Sequence, residues 1–153
     1  MVVNTSNKSE LAVGYSTQYG DSVGAISMLG DLYKSEVFRL AEYLNFKFNN
    51  LIPEQIITRP PTAELRENQS DDQSLPPYDI LDPILEGILS YRHTREDLIE
   101  MGFKTSHIDT AINLYRRTEY KRYQFCPILK LSSKSFGFGY RIPISKDSNF
   151  YHS

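Results

Sequence analysis

Three stretches of this sequence place chemically useful residues at useful spacing. The first is Thr5-Ser6-Asn7-Lys8-Ser9-Glu10, which follows Met1-Val2-Val3-Asn4 without a break. The apolar start reads as the end of a buried strand. Ser6 can then cap a short helix carrying Glu10, Leu11 and Val13 until Gly14 weakens it. A strand that turns directly into a helix presents free N–H groups at the carboxyl edge of a sheet, where open α/β folds bind ligands. A carboxylate at Glu10 suits a cation beside a phosphate bound there. The plainer alternative leaves Ser6 as a cap and Glu10 as a solvated helix residue.

The second stretch lies between Arg59 and Tyr78. Pro60, Pro61, Pro76 and Pro77 bracket a polar run, Arg66 to Ser74, that holds no apolar residue. Such a run cannot bury itself, so it is either a connector or a lid that orders over a ligand. Thr62, Glu64, Asp71 and Asp72 supply the hard oxygens that Mg²⁺ prefers and shares with substrate phosphates. The third stretch is Thr118-Glu119-Tyr120-Lys121-Arg122, following Arg116 and Arg117. Cations at a helix C-terminus answer its dipole; Lys121 is equally suited to a phosphate or carboxylate. Charge alone does not choose. Gly137-Phe138-Gly139 lacks the strand–turn–helix setting of a nucleotide loop and reads as a turn. His93, His107 and His152 show no metal-ligand spacing with Cys126, and no catalytic triad signature occurs.

The elements that must position these residues are mostly helical. Asp31 is expected to cap a helix whose apolar stripe is Val37, Phe38, Leu40, Ala41, Leu44 and Phe48. Ser16 to Gly30 reads as loop. Asp82-Pro83 supplies an N-cap with proline at the first helical position, ahead of Ile84, Leu85, Ile88 and Leu89. Thr94 and Asp97 form a capping box for a short helix ended by Gly102. Ser106 begins a further helix on Ile108, Ala111, Ile112 and Tyr115. Beyond Pro127, short alternations suggest a small strand or an extended arm.

The bulk properties exclude several partners. In 153 residues, 17 Lys and Arg face 19 Asp and Glu, which argues against a general nucleic-acid or membrane-surface role. Cys126 is alone, so no internal disulfide forms and a reducing compartment, the cytoplasm, is expected. No apolar run approaches the length of a membrane span. Nothing precedes Met1 to begin the first strand, so the start reads as interrupted.

Taken in order, several motifs resemble the second half of NAD synthetase. They are Thr5-Ser6-Asn7-Lys8-Ser9-Glu10-Leu11, Gly14-Tyr15-Ser16-Thr17, Tyr19-Gly20-Asp21, Gly30-Asp31-Leu32-Tyr33-Lys34, Pro60-Pro61-Thr62-Ala63-Glu64-Leu65 and Gln69-Ser70-Asp71-Asp72. Leu75-Pro76-Pro77-Tyr78, Glu119-Tyr120-Lys121-Arg122 and Phe136-Gly137 with Arg141-Ile142-Pro143-Ile144 extend the likeness almost to the end. Tyr120, where the short ammonia-dependent enzymes tend to have histidine, and the Phe136 to Ile144 tail look like the glutamine-dependent form.

The resemblance implies a mostly α fragment, with few short strands, of an α/β domain: Rossmann-like, of the ATP-pyrophosphatase or adenine nucleotide alpha hydrolase kind. Residues 1–145 would be the C-terminal portion of the synthetase domain, with a mobile loop at about 59–77 and a polar tail at 146–153. The implied reaction adenylates the nicotinate carboxylate of deamido-NAD with ATP and Mg²⁺; ammonia from glutamine then displaces AMP. By position, Thr5, Lys34 and Thr62 match ATP contacts, and Glu10 and Thr62 match metal-binding positions. Tyr15, Asp21, Tyr120 and Lys121 match the deamido-NAD region, and Asp72 an acidic position of the mobile loop.

Gln18 and Ala25 depart from a lysine and an aspartate of the short enzymes. The family's Ser-Gly-Gly-x-Asp-Ser pyrophosphate loop belongs upstream of Thr5, and no such string occurs here. The chain alone is therefore expected to be inactive. Its implied partners are the upstream half of the synthetase domain, a glutaminase domain and a second copy of itself, drawn by apolar surface that missing strands would have covered. Two alternatives remain: a non-catalytic dimerisation piece of the same family, or a related amidotransferase such as a GMP synthetase.

Overall fold

In the computed structural model the described residues are 1–59 and 75–144. Thr62, Glu64, Asp71 and Asp72 lie outside them, as do most of the proline-bracketed loop and the polar tail. The elements are β1 (Val3–Asn4), α1 (Lys8–Val13), β2 (Ile26–Ser27), α2 (Lys34–Phe48), α3 (Glu54–Thr58), α4 (Tyr78–Glu86), α5 (Arg95–Glu100), α6 (Thr105–Arg117) and α7 (Glu119–Tyr123). A π-helical turn, Gly87–Tyr91, continues α4. β1 and β2 run parallel, with Val3 opposite Ile26 and Asn4 opposite Ser27. Parallel pairing needs a crossover, and α1 provides it. Ile128 adds a bridge to Ser27, so the stretch after Pro127 is an extended arm laid on the sheet edge. The mostly helical fragment with short strands is what the sequence leads one to expect, although β2 lies inside the stretch read as loop.

Several helix starts differ from their sequence reading, each for a local reason. Asn4 Oδ1 accepts the Ser6 N–H at 2.9 Å, which delays the helix by one residue. Asn7, not Ser6, therefore caps α1: Asn7 Oδ1 accepts from Glu10 N at 3.0 Å and Glu10 Oε2 accepts from Asn7 N at 3.1 Å. Gly14 closes α1 at φ 65°, and a Cβ there would lie 2.4 Å from the Thr118 Cβ. Asp31 does not cap α2, because its carboxylate is taken by Lys8 Nζ at 3.0 Å and by the N–H groups of Leu131 and Ser132. α4 begins at Tyr78, which places Asp82 and Pro83 inside the helix rather than at its cap. α6 begins at Thr105, one residue earlier than read. The Thr94–Asp97 box forms as expected, with bonds of 3.1 and 2.7 Å, and Gly102 follows at φ 92°.

The core gathers Leu11, Ala12 and Val13 of α1, Leu81, Ile84 and Leu85 of α4, Leu98 of α5, and Ile108 and Ala111 of α6. α2 behaves differently. None of its residues is buried, and Leu40, Tyr43, Phe46 and Phe48 are exposed, Phe46 by 89%.

Candidate functional site at the start of α1 and α2

The N-termini of α1 and α2 meet above α4. Lys34, the first residue of α2, reaches back to Glu10, and its Nζ lies 3.1 Å from Glu10 Oε1. Both side chains keep about a fifth of their surface open, 21% and 19%. The ammonium also stands 5.6 Å from the centre of the Tyr78 ring and 5.9 Å from that of Phe38. Two residues singled out from separate segments thus form one ion pair. Thr5 is exposed in the link between β1 and α1, at the edge of the same region.

Beneath the pair lies a polar node. Ser9 Oγ donates to Asp82 Oδ1 at 2.5 Å and accepts the Lys34 N–H at 2.9 Å. Asp82 Oδ2 accepts the Ser35 N–H at 2.8 Å. Burial pushes the Asp82 carboxyl above its ordinary value, against the opposing hydrogen bonds from Ser9 and Ser35. Lys8 and Asp31 form a second buried pair, 3% and 0% exposed, with Ser132 Oγ donating to Asp31. Burial acts to raise the Asp31 carboxyl, but the Ser132 and Leu131 amides, Lys8 and the Ser132 hydroxyl outweigh it and hold it low.

Residues Gly14 to Ser22 form a loop against α7. Asp21 Oδ2 accepts the Thr17 N–H at 2.9 Å, and Thr17 Oγ1 accepts the Asp21 N–H at 3.0 Å. Lys121 Nζ donates to Gly14 O and Ser16 O, both at 2.7 Å. Burial lowers the Lys121 ammonium's proton affinity while the charge of Asp21 opposes the shift. The half-buried Tyr15 belongs to this loop, so Tyr15, Asp21 and Lys121 are brought together. Tyr120 is beside Lys121 in sequence but is 43% exposed, with no contact that ties it to them. Gln18 bonds the Gln124 side chain.

Arg122, next in the basic run, has a different job. It is 4% exposed, pairs with Glu119 at 2.9 Å, and donates to Leu11 O at 3.2 Å and Ala12 O at 2.7 Å. Its plane lies over the Tyr115 ring, 4.5 Å from the centroid. The sequence singled out Lys121 and left Arg122 as a helix-end cation; the fold sets Lys121, half-buried, against the loop and buries Arg122. Sequence reasoning missed Ser9 and Asp82, whose residue types signal caps and whose partners are remote. A cavity of about 520 Å³ opens beyond α7, lined by Arg122, Tyr123, Phe136, Tyr140 and Arg141. Cys126 borders it, and burial pushes its thiol above the ordinary value.

Among the described residues no group of three or more His, Cys, Asp or Glu side chains is placed to hold a metal. A cation at Glu10 would need further oxygens, the situation in which Mg²⁺ takes them from bound phosphates. Among the same residues no helix is long and apolar enough to cross a membrane.

The NAD synthase family model matches residues 1–125. A glutamine-dependent NAD(+) synthetase of Xylella fastidiosa (strain Temecula1 / ATCC 700964) is 47% identical over 146 residues, 95% of this chain and 27% of that protein. The chain thus spans about a quarter of the length of the curated relatives it matches. The crystal structure of a glutamine-dependent NAD(+) synthetase from Cytophaga hutchinsonii shares the fold at a TM-score of 0.74 and 21% identity, covering 96% of this chain and 24% of that one. The structure of an NMN synthetase from Francisella tularensis gives 0.60 at 26% identity, over 85% and 45%.

Proposed function

The chain belongs to the NAD synthase family, and on that premise we propose that it forms the C-terminal part of a glutamine-dependent synthetase that amidates deamido-NAD to NAD. Residues 1–145 are its share of the synthetase domain. The observation that carries the reading is the Glu10–Lys34 pair, 3.1 Å apart where β1 and two helix N-termini converge. A carboxylate and an ammonium so placed are complementary to a metal–phosphate unit: Glu10 would hold the cation and Lys34 would pair with phosphate oxygens. Glu10 and Thr62 would hold Mg²⁺, which when bound offsets charge on the departing pyrophosphate.

The chemistry is a two-step amide synthesis. The nicotinate carboxylate attacks the α-phosphorus of ATP, and pyrophosphate leaves. Ammonia then attacks the acyl carbon, and AMP leaves with the electron pair of the broken C–O bond. Lys34, with Thr5 and Thr62, binds ATP and answers the negative charge that grows on the leaving phosphates. Lys121 shapes the dinucleotide side of the site: two of its three donors hold the carbonyls of Gly14 and Ser16, so it presents Tyr15 and Asp21. Tyr120 and the Asp72 segment complete that side in this proposal. The Ser-Gly-Gly-x-Asp-Ser loop that the resemblance calls for upstream is to come from the partner half of the domain, and ammonia from a glutaminase domain. The chain without them does not turn over.

The test is NAD formation from deamido-NAD, ATP, Mg²⁺ and ammonium, with this chain alone and with its upstream half added. Activity confined to the reconstituted pair, abolished by Lys34→Ala, is the expected outcome. Turnover by this chain alone would refute the need for the missing loop. A second reading, a non-catalytic self-associating piece, is favoured by the exposed apolar side chains Leu40, Tyr43, Phe46 and Phe48 of α2. It wins if both halves fold and associate yet make no NAD.

A further inference from the structure

Asp82 is an unusual residue to bury. Its side chain sits in α4 at 3% exposure, and its hydrogen-bond partners are the Ser9 hydroxyl and the Ser35 N–H rather than a cation. A carboxylate placed so is held away from water at a cost in stability. The structure shows what it holds. The opening N–H groups of a helix have no partner within the helix, and α2 starts after Tyr33, which offers them no side-chain cap. The first, Lys34 N–H, goes to Ser9 Oγ of α1, and the second, Ser35 N–H, to Asp82 of α4. The first two N–H groups of α2 are therefore capped from two other helices, while Glu36 of its own first turn accepts the Tyr33 N–H at 2.8 Å. The negative end of that cap also suits the positive end of a fifteen-residue helix. Ser9 is the neighbour of Glu10, and Lys34 is the residue whose amine Glu10 holds.

We propose that Ser9 and Asp82 are positioning residues that fix the start of α2 so that Lys34 and Glu10 meet a nucleotide together. The proposal rests on the reading of Lys34 as an ATP contact, but its geometric half is testable without it. Two variants serve. Ser9→Ala is nearly isosteric and removes two of the node's three bonds; Asp82→Asn keeps an oxygen for the Ser35 N–H and removes the charge. Asp82→Asn keeps the side chain's size and an acceptor for the Ser35 N–H, so it is expected to stay folded at neutral pH, which thermal melting checks.

The first readout is competitive labelling of lysine amines followed by peptide mapping. Lys34 should label several-fold faster in both variants, while the exposed Lys47 labels at its usual rate. Unchanged Lys34 labelling in folded variants overturns the proposal. The second readout is affinity of the reconstituted pair for Mg·ATP in a double-mutant cycle. Ser9→Ala should weaken binding about tenfold alone and not at all on a Lys34→Gln background, the signature of two residues acting as one unit. Fully additive losses also overturn it, since Ser9 would then act by another route. If Lys34→Gln leaves ATP affinity untouched, the nucleotide reading fails, and the labelling result still decides whether Ser9 and Asp82 position Lys34.

Discussion

At the scale of single residues, two lysine–carboxylate pairs among the described residues have opposite characters. Lys34–Glu10 is partly open and suited to exchange its partners for a ligand; Lys8–Asp31 is closed to water and suited to hold the chain together. Glu10→Gln should therefore leave folding nearly intact and lower kcat/KM for ATP in the reconstituted enzyme by about a hundredfold, the scale of losing one charge-stabilising group. Steady-state kinetics check this. Asp31→Asn should do the reverse, costing about 3–5 kcal/mol of stability because it leaves a buried ammonium without its counter-charge; urea denaturation measures it. The pH dependence carries a sign. The folded Asp31 carboxyl lies below the ordinary 3.8, so its stabilisation is complete above that value and is lost as pH falls through the lower, folded one. The parent chain should lose stability there more steeply than Asp31→Asn. Glu10 and Lys34 were legible in the sequence because both stand in recognisable local motifs. Ser9 and Asp82 were not, since they are 73 positions apart and each alone has the type of an ordinary cap.

At the scale of elements, local grammar predicted what local forces decide. The Thr94–Asp97 box needs four consecutive residues, and it formed; Thr94→Ala should cost about 1 kcal/mol, read by denaturant titration. Where a side chain had a better partner far along the chain, the same grammar misled. Asp31 and Asp82 both look like caps, yet one is drawn to Lys8 and the Ser132 segment and the other to Ser9 and α2. α2 shows a different gap between the two levels. Its amphipathic pattern was correct as a helix signal, and Val37, Phe38, Ala41 and Leu44 are half-buried, but Leu40, Tyr43, Phe46 and Phe48 stay exposed. The chain should accordingly self-associate at rising concentration, and Phe46→Ser with Phe48→Ser should shift it towards monomer in sedimentation velocity. A monomer at all concentrations would remove the homo-oligomer from the proposal.

At the scale of the whole molecule, a core built from α1, α4, α5 and α6 is closed by bonds that span most of the sequence. Arg122 is the clearest instance. It holds the carbonyls of Leu11 and Ala12 from 111 and 110 residues away. α1 is six residues long, too short to persist as a helix by itself. With its last turn clasped by α7 and its Gly14 bend closed against Thr118, it has no private way to open. Its amide hydrogens should then exchange with deuterium in step with those of α6, as one cooperative unit, and not at the fast rate of a frayed end. The same long reach delays assembly, because the loop joining residue 12 to residue 122 must close before the clasp returns anything. The segment that begins the chain is thus among the last to become native and, once native, among the last to let go.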